Sequence, residues 1–498
     1  MATAARVLAS VRRPTAEIDF SARRFAAGFL AIALGLCLLC VFLQITLALL
    51  IAVPLLAVWF WREPVRGVYV LTAGAAMIEI FPLNFPDSFT DRVPLFLNLN
   101  NSAGLTGLSI TPAEILMLTV ALVAIARASS EGRLHWPAGR LVAPYCIYLL
   151  VVLGAEVHGL LAGGDFKTSL WEIRPQVYGF ILFFMATTLV VNRSQLTRLA
   201  IVFLLAVSVK AVVGDFRYFV TLQGNVGSQL EVLAHEDSYF LGMFIAAGLA
   251  ALIWLKDRRI LIPMGLMSVL ALVALLANSR RAGVYAVAGA VGVIVLLAFR
   301  FEPALRKRIG WLSVAVLVAG AIFVAYAWDK QYGVQAQIVR PIRALVDPSA
   351  RDFSSDLYRI AETANLEYTF RTSPLIGVGF GSPFDIVYPM ADISSTYPLW
   401  NVIPHNSVMW VGMRMGTIGF VTFWGLIGLA VLEGFGVLGT RRDRFLRAVA
   451  AVCVAAIVAE IGVGYVDIQL ENYRNLIFLG VVLGVLNRLP QMPEVEHA

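Results

Sequence analysis

Three polar elements in an otherwise apolar chain have residue types and spacing that could do chemistry: Arg280-Arg281, Arg359 and His405-Asn406. A guanidinium is a planar fork that gives two parallel hydrogen bonds to phosphate oxygens and stays charged at any working pH. An imidazole titrates close to neutrality, so a histidine such as His405 can take a proton from a hydroxyl. The set therefore reads as a base beside cations that stabilise an anion. Each element also has a plainer reading. Arg280 and Arg281 could anchor helix ends at a membrane interface, Arg359 could pair with Glu362 or Asp356 on a solvated helix face, and His405 could cap the helix that follows it. Asn406 suits orientation of a site or helix capping better than reaction. Arg174, within Trp171-Glu172-Ile173-Arg174-Pro175-Gln176, together with Arg217 and His235-Glu236-Asp237, supplies further polar candidates for substrate contacts.

The elements that must position these residues are set by composition. Of 498 residues 59% are hydrophobic and 14% are charged, against roughly 25% charged in an average soluble domain, and the mean hydropathy is +0.80. That excludes a water-soluble globular protein, a disordered chain and a small disulfide scaffold. Crossing a bilayer takes about 20 apolar residues. Fourteen segments qualify, at approximately 25–43, 44–61, 67–83, 112–127, 141–158, 176–191, 197–214, 238–255, 260–278, 283–299, 311–328, 415–438, 445–465 and 473–488. The fold class expected is all-α, a polytopic transmembrane helix bundle of about 12–14 spans with one long helical loop.

A net charge of +7 would suggest nucleic acid in a soluble chain, but here its distribution carries the information. With the N-terminus inside, 24 of the 39 Lys and Arg fall in inner segments. This predicts a cytoplasmic tail at 1–24, a bundle at 25–328, a periplasmic loop at 329–414, C-terminal spans at 415–488 and a cytoplasmic tail at 489–498. No small-residue cleavage site follows the first apolar run, which reads as a retained helix. Cys37, Cys40, Cys146 and Cys453 all fall within expected spans, so they imply neither an extracytoplasmic disulfide nor a metal site. Several ionisable residues, among them Glu79, Glu114, Glu156, Lys210, Asp215 and Glu460, fall toward the outer ends of spans, where a cavity open to the outer leaflet or snorkelling would account for them.

The segment 329–414 interrupts the pattern with eight acidic residues: Asp329, Asp347, Asp352, Asp356, Glu362, Glu367, Asp385 and Asp392. A connection this long is either a folded cap or a functional lid. Residues 353–370 predict a helix capped by Ser354 or Ser355, with Leu357, Ile360, Ala361, Ala364 and Tyr368 as its apolar stripe. A Pro- and Gly-rich turn follows at 374–383. The loop holds no DxD, HxxH or EF-hand-like run, so guanidinium groups are the available substitute for a carboxylate-held metal.

Asn278-Ser279-Arg280-Arg281-Ala282-Gly283, then Arg359 followed by Pro374-Leu375-Ile376-Gly377-Val378-Gly379, then His405-Asn406 followed by Gly416-Thr417-Ile418-Gly419 resemble, in order and spacing, the signature of the bacterial O-antigen ligase and O-antigen polymerase family. The resemblance covers roughly residues 260–440. It implies an inner-membrane, metal-independent, inverting glycosyltransferase without a cofactor, working at the periplasmic face on a glycan carried by undecaprenyl diphosphate. Its partners would be that donor, a glycan or glycolipid acceptor and the bilayer, with no nucleic acid. Carried over residue by residue, it points to Arg280 or Arg281, Arg359 and His405; with the residues read above, His405, Arg359 and Arg280 form the expected catalytic set and Arg281, Asn406, Arg174 and Arg217 lie toward substrate. Ligase and polymerase are not separated at this level. A multi-span transporter or a flippase for lipid-linked glycans is the competing class, and the absence of a discernible internal repeat weighs against it.

Overall fold

The computed structural model describes Gly28, Gly35 and residues 45–80, 90, 93–103, 109–224, 232–255, 257–278, 280–330 and 333–494. Among these residues the regular structure is helical, with no strand. The first half of the bundle comprises α1 (Ile45–Arg62), α2 (Val65–Met77), α3 (Pro112–Ser130), α4 (Val142–Leu161), α5 (Phe166–Leu189), α6 (Arg193–Phe216) and α7 (His235–Trp254). There follow α8 (Arg258–Ala277), α9 (Arg281–Phe301) and α10 (Arg306–Ala327), then α11 (Gly333–Val346) and α12 (Ala350–Thr372) within the long connection. The chain returns to the bundle as α13 (Ser407–Thr440), α14 (Arg444–Gly464) and α15 (Tyr473–Arg488).

The expected span at 25–43, with Cys37 and Cys40, lies outside the described residues apart from Gly28 and Gly35. Each of the other thirteen expected segments coincides with a helix. Nine helices among the described residues are long and apolar enough to cross a membrane. The others fall short for local reasons. Helix α5 carries Lys167, Glu172 and Arg174 in its first half, and α2 and α15 have 13 and 16 residues.

Alternation of direction sorts the connections onto two ends. At one end, Arg127 Nη1 donates to the Trp61 carbonyl (2.7 Å), Arg198 meets Glu63 (3.1 Å) and Arg447 meets Glu302 (2.8 Å), so basic side chains tie the short loops together. The opposite end carries the long connection with α11 and α12, the turn at Asn278–Arg281 and the loop 465–472. Helix α15 is buried from Tyr473 to Asn487 and lies along α5. Gly480 makes that approach possible, because a Cβ there would stand 2.1 Å from the Gly179 carbonyl oxygen. In an apolar solvent such close packing replaces the hydrophobic drive that joins helices in water.

Two of the ionisable residues near the outer span ends, Glu79 and Lys210, are packed together. Lys210 of α6 bonds Glu79, which follows α2, and reaches Asp237 of α7 at 3.0 Å; Asp237 also bonds Arg474 of α15. All four are at most 3% exposed, so this group is a buried ionic knot and does not line an open cavity. Glu114 completes a capping box, accepting from the Thr111 amide (2.7 Å) at the start of α3.

Helix α13 is broken at Gly416, where φ is 65° and ψ is −165°. This left-handed, extended conformation is essentially confined to glycine. The break frees two acceptors and two donors, and the Gly-rich turn engages them all. Val378 N donates to the Met413 carbonyl (2.9 Å) and Gly379 N to the Arg414 carbonyl (3.0 Å), while Thr417 N and Ile418 N donate to the carbonyls of Pro374 (2.8 Å) and Leu375 (3.2 Å). Gly377, at φ 72°, rests directly on the Arg414 backbone. The turn and the helix break are one unit. Gly416→Ala would add a backbone cost of about 1–2 kcal/mol and set a Cβ 2.3 Å from the Leu375 backbone. A lower unfolding midpoint of the purified protein, with faster proteolysis at 374–383, is the expected result.

Candidate active site

His405 lies immediately before α13 and is held by α12. Its backbone N donates to Glu362 Oε2 (2.9 Å), and its ring Nδ1 is 3.1 Å from Glu362 Oε1. Glu362 is 1% exposed, so this contact is shielded from water. A carboxylate only accepts, which assigns the proton of a neutral ring to Nδ1 and leaves the Nε2 lone pair open. Tyr358, one turn earlier on α12, meets the imidazole edge to face at 5.7 Å between centroids.

Helix α12 is longer than the sequence pattern predicts and turns its stripe the other way. Ser349 caps it, accepting from the Asp352 amide (3.2 Å), in place of Ser354 or Ser355. The buried face carries Asp352, Glu362, Asn365, Leu366 and Thr369, whereas Leu357, Ile360 and Tyr368 are exposed. Polar residues are inside because this face meets the charged end of the bundle.

The same helix separates the two adjacent arginines. Arg281, the first residue of α9, makes a bidentate contact with Asp356 (2.7 and 3.1 Å) and reaches Asp352 at 3.5 Å. Its charge is committed to α12. Arg280, the residue preceding α9, is half-buried at a concavity lined also by Leu275, Leu276, Val284, Gln337, Arg340 and Pro341. Burial lowers the pKa of its guanidinium; Asp467 acts against that, while Arg359, Arg351 and Arg340 add to it. With Asp356 held by Arg281 and Glu362 by His405, Arg359 forms an ion pair with neither among the described residues.

Asp467, in the loop between α14 and α15, joins the set. It is 9% exposed. Burial alone would raise its pKa, but the charges of His235, Arg280, His405 and Arg359 outweigh that and hold the carboxyl below its ordinary range. Four cationic or cation-forming side chains from four parts of the chain thus act on one carboxylate. Beneath them Ser407 accepts from the amides of Gln469 (3.0 Å) and Leu470 (3.3 Å) and bonds Glu471, fixing the loop to the start of α13. Burial pushes the Glu471 carboxyl up to about 8, so it is largely neutral at pH 7.

Residues 266–424 match the family model Wzy_C, described as O-antigen ligase. That segment, about a third of the chain, is similar to the O-antigen ligase family. A comparison of the chain with curated proteins finds no match. The similarity points to a membrane enzyme that transfers glycans, in keeping with the apolar helices of the bundle.

The matched segment contains Arg280, Arg281, Arg359, His405 and Asn406, while Asp467, His235 and Glu471, which interact electrostatically with this group, lie outside it. Asn406 caps α13, its Oδ1 accepting from the Met409 amide (3.0 Å) and its Nδ2 lying 3.4 Å from Thr363 Oγ1. Arg174 belongs to another group, with Glu114 (3.2 Å), Asn98 (3.1 Å) and the Ser109 carbonyl. Arg217 is 3% exposed in the π-helical turn that ends α6. Ser279 lies outside the described residues.

Arg414 and Glu172 are fully buried and hold the Gly-rich turn in place. Glu172 of α5 accepts from Arg414 Nε (2.6 Å), Trp410 Nε1 (2.9 Å) and the Gly381 amide (2.8 Å). Arg414 also donates to the carbonyls of Gly379 (3.1 Å) and Val402 (2.9 Å). The sequence signal for this pair was an arginine and a glutamate within apolar helices, and Asp467 had no local signal beyond lying between two spans. Glu362 was legible only as a neighbour of Arg359, three residues and about one helical turn from it.

Proposed function

We propose that this protein transfers or polymerises a glycan from undecaprenyl diphosphate onto a sugar hydroxyl, by metal-independent inversion, at the periplasmic face of the inner membrane. The observation that carries the reading is the His405–Glu362 contact, near the Asp467 carboxyl on which the charges of Arg280, Arg359 and His405 act. In this reading the acceptor hydroxyl gives its proton to His405 Nε2 as its oxygen bonds the anomeric carbon. The bond from that carbon to the diphosphate breaks on the opposite face, inverting the centre. Glu362 keeps the Nδ1 proton in place and stabilises the imidazolium. Arg280 and Arg359 take up the charge on the departing diphosphate, the part a divalent ion plays in metal-dependent transfer. Arg281 braces α12 through Asp356 and Asp352, and Asn406 sets the start of α13; Arg174 and Arg217 remain proposed contacts along the substrate.

The carboxylates of α12 support metal independence, because each already has a basic partner: Asp352 with Arg340 (2.9 Å), Asp356 with Arg281, Glu362 with His405 and Glu367 with Arg371. The distribution of Lys and Arg supports the sidedness, since 24 of the 39 fall in the segments expected to be inner. The test incubates purified full-length protein with a defined undecaprenyl-diphosphate glycan and acceptor, with and without chelator, followed by mass analysis. Turnover unchanged by chelator, and about a hundredfold loss in Arg280→Ala, are the expected results. Loss of turnover with chelator, or an Arg280→Ala enzyme as active as its parent, overturns the proposal. A ladder of products identifies a polymerase, and one transfer to a fixed acceptor a ligase.

A further inference from the structure

Helix α11 presents three chemically different sides. Ala336, Val339 and Ala344 are buried against the bundle, where α11 packs on α8, α9 and α10. Gln337, Arg340 and Pro341 line the concavity shared with Arg280 and Arg281. The third side carries Ile342, Leu345 and Val346, which are 45%, 72% and 74% exposed. At 100° per residue these three fall within one arc of the helix, and three adjoining large apolar side chains left in water would be costly.

Helix α10, which precedes α11 and contacts it, has a most apolar stretch that the protein nowhere buries. Leu312, Leu317, Ile322 and Tyr326 are each at least 65% exposed along its length, a surface only acyl chains can cover in a membrane enzyme. Arg343 fixes α11 to the end of α10, with Nη1 donating to the carbonyls of Trp328 (3.0 Å) and Lys330 (3.1 Å). The apolar side of α11 therefore continues the lipid-facing surface of α10 beyond the end of that span. Arg340 and Arg343 on its other sides match the phosphate layer at that depth.

We propose that α11 is an interfacial helix seated in the bilayer leaflet at the site end of the molecule, with Ile342, Leu345 and Val346 among the acyl chains. It then forms the lipid-side wall of the arginine-lined concavity and sets that concavity at headgroup depth. A lipid-borne phosphate would meet Arg280 without its chain leaving the leaflet. That consequence rests on the proposed function; the seating of the helix does not.

The test places a nitroxide at Ile342→Cys, Leu345→Cys or Val346→Cys in the full chain, with the native cysteines replaced, in nanodiscs holding one copy each. A label at Asp392→Cys in the long connection serves as the aqueous reference. Collision with oxygen above that with a water-soluble nickel complex at all three sites, the reverse of the reference, is the expected result. Nickel accessibility equal to the reference places the side in water and overturns the proposal. Low collision with both reagents means that protein covers it, and overturns it equally. No turnover is read, so failure here leaves the roles of His405, Arg280 and Arg359 untouched.

Discussion

His405→Ala is expected to lower the rate of glycan transfer by about 10²–10⁴-fold, the range a positioned general base contributes. The substitution removes the open Nε2 and leaves the buried Glu362 carboxylate with only the backbone amide of residue 405 as a hydrogen-bond partner from that side. Glu362→Gln separates chemistry from structure. The amide keeps shape and still accepts from the backbone, but it no longer compels the Nδ1–H tautomer or stabilises an imidazolium. It should therefore lower kcat with little change in donor KM, and the loss should be smaller than in His405→Ala. Single-turnover measurements on purified protein, with circular dichroism confirming retained helix content, check both. A His405→Ala protein that turns over as fast as its parent would remove the base from the mechanism.

Arg414→Ala is expected to destabilise the protein by about 3–5 kcal/mol, the cost of stranding a buried charge. Glu172 would keep its bonds from Trp410 and Gly381 but lose its counter-ion, while the carbonyls of Gly379 and Val402 would lose their donor. Arg414→Met with Glu172→Gln should recover much of that loss, because neither member is then an unpaired ion. Thermal unfolding in a fixed detergent reads the single and double variants together. If the single change moves the midpoint no more than a surface substitution does, Arg414 is not what fixes the turn. Since the turn meets α13 just after His405, loss of the clamp should also lower activity before the bundle unfolds.

These two expectations differ in how far the sequence alone reached them. His405, Arg359 and Arg280 were legible because their types are rare among apolar spans and their order resembles a known family. Glu362 was in view only as a competing partner for Arg359; the structure gives it to His405. The choice between Arg280 and Arg281 was open, since adjacent residues look alike to any local rule. Both line the concavity, and what distinguishes them is α12, whose Asp356 binds Arg281.

The stripe on α12 shows why periodicity alone misplaced a face. Leu357, Ile360 and Tyr368 recur with the helical period, and in water the apolar side would turn inward. At the charged end of a membrane bundle the buried partner is polar, so Glu362 and Asn365 are inside and the apolar stripe is exposed. Periodicity gives the arc; the surroundings decide which arc is covered.

The sequence by itself determined that this is a helical membrane protein, where thirteen of its described helices fall, and which few side chains could meet an anionic substrate. Those properties follow from local quantities: apolar run length, the sorting of Lys and Arg between alternate loops, and a handful of residue types in order. Only the tertiary structure decided that the charges of Arg280, Arg359 and His405 act on Asp467, that Glu172 anchors Arg414 from more than 200 residues away, and that Arg281 pairs with Asp356. In a chain whose spans all read alike to composition, helix partners are chosen by close packing and buried ion pairs, and neither leaves a periodic trace along the sequence.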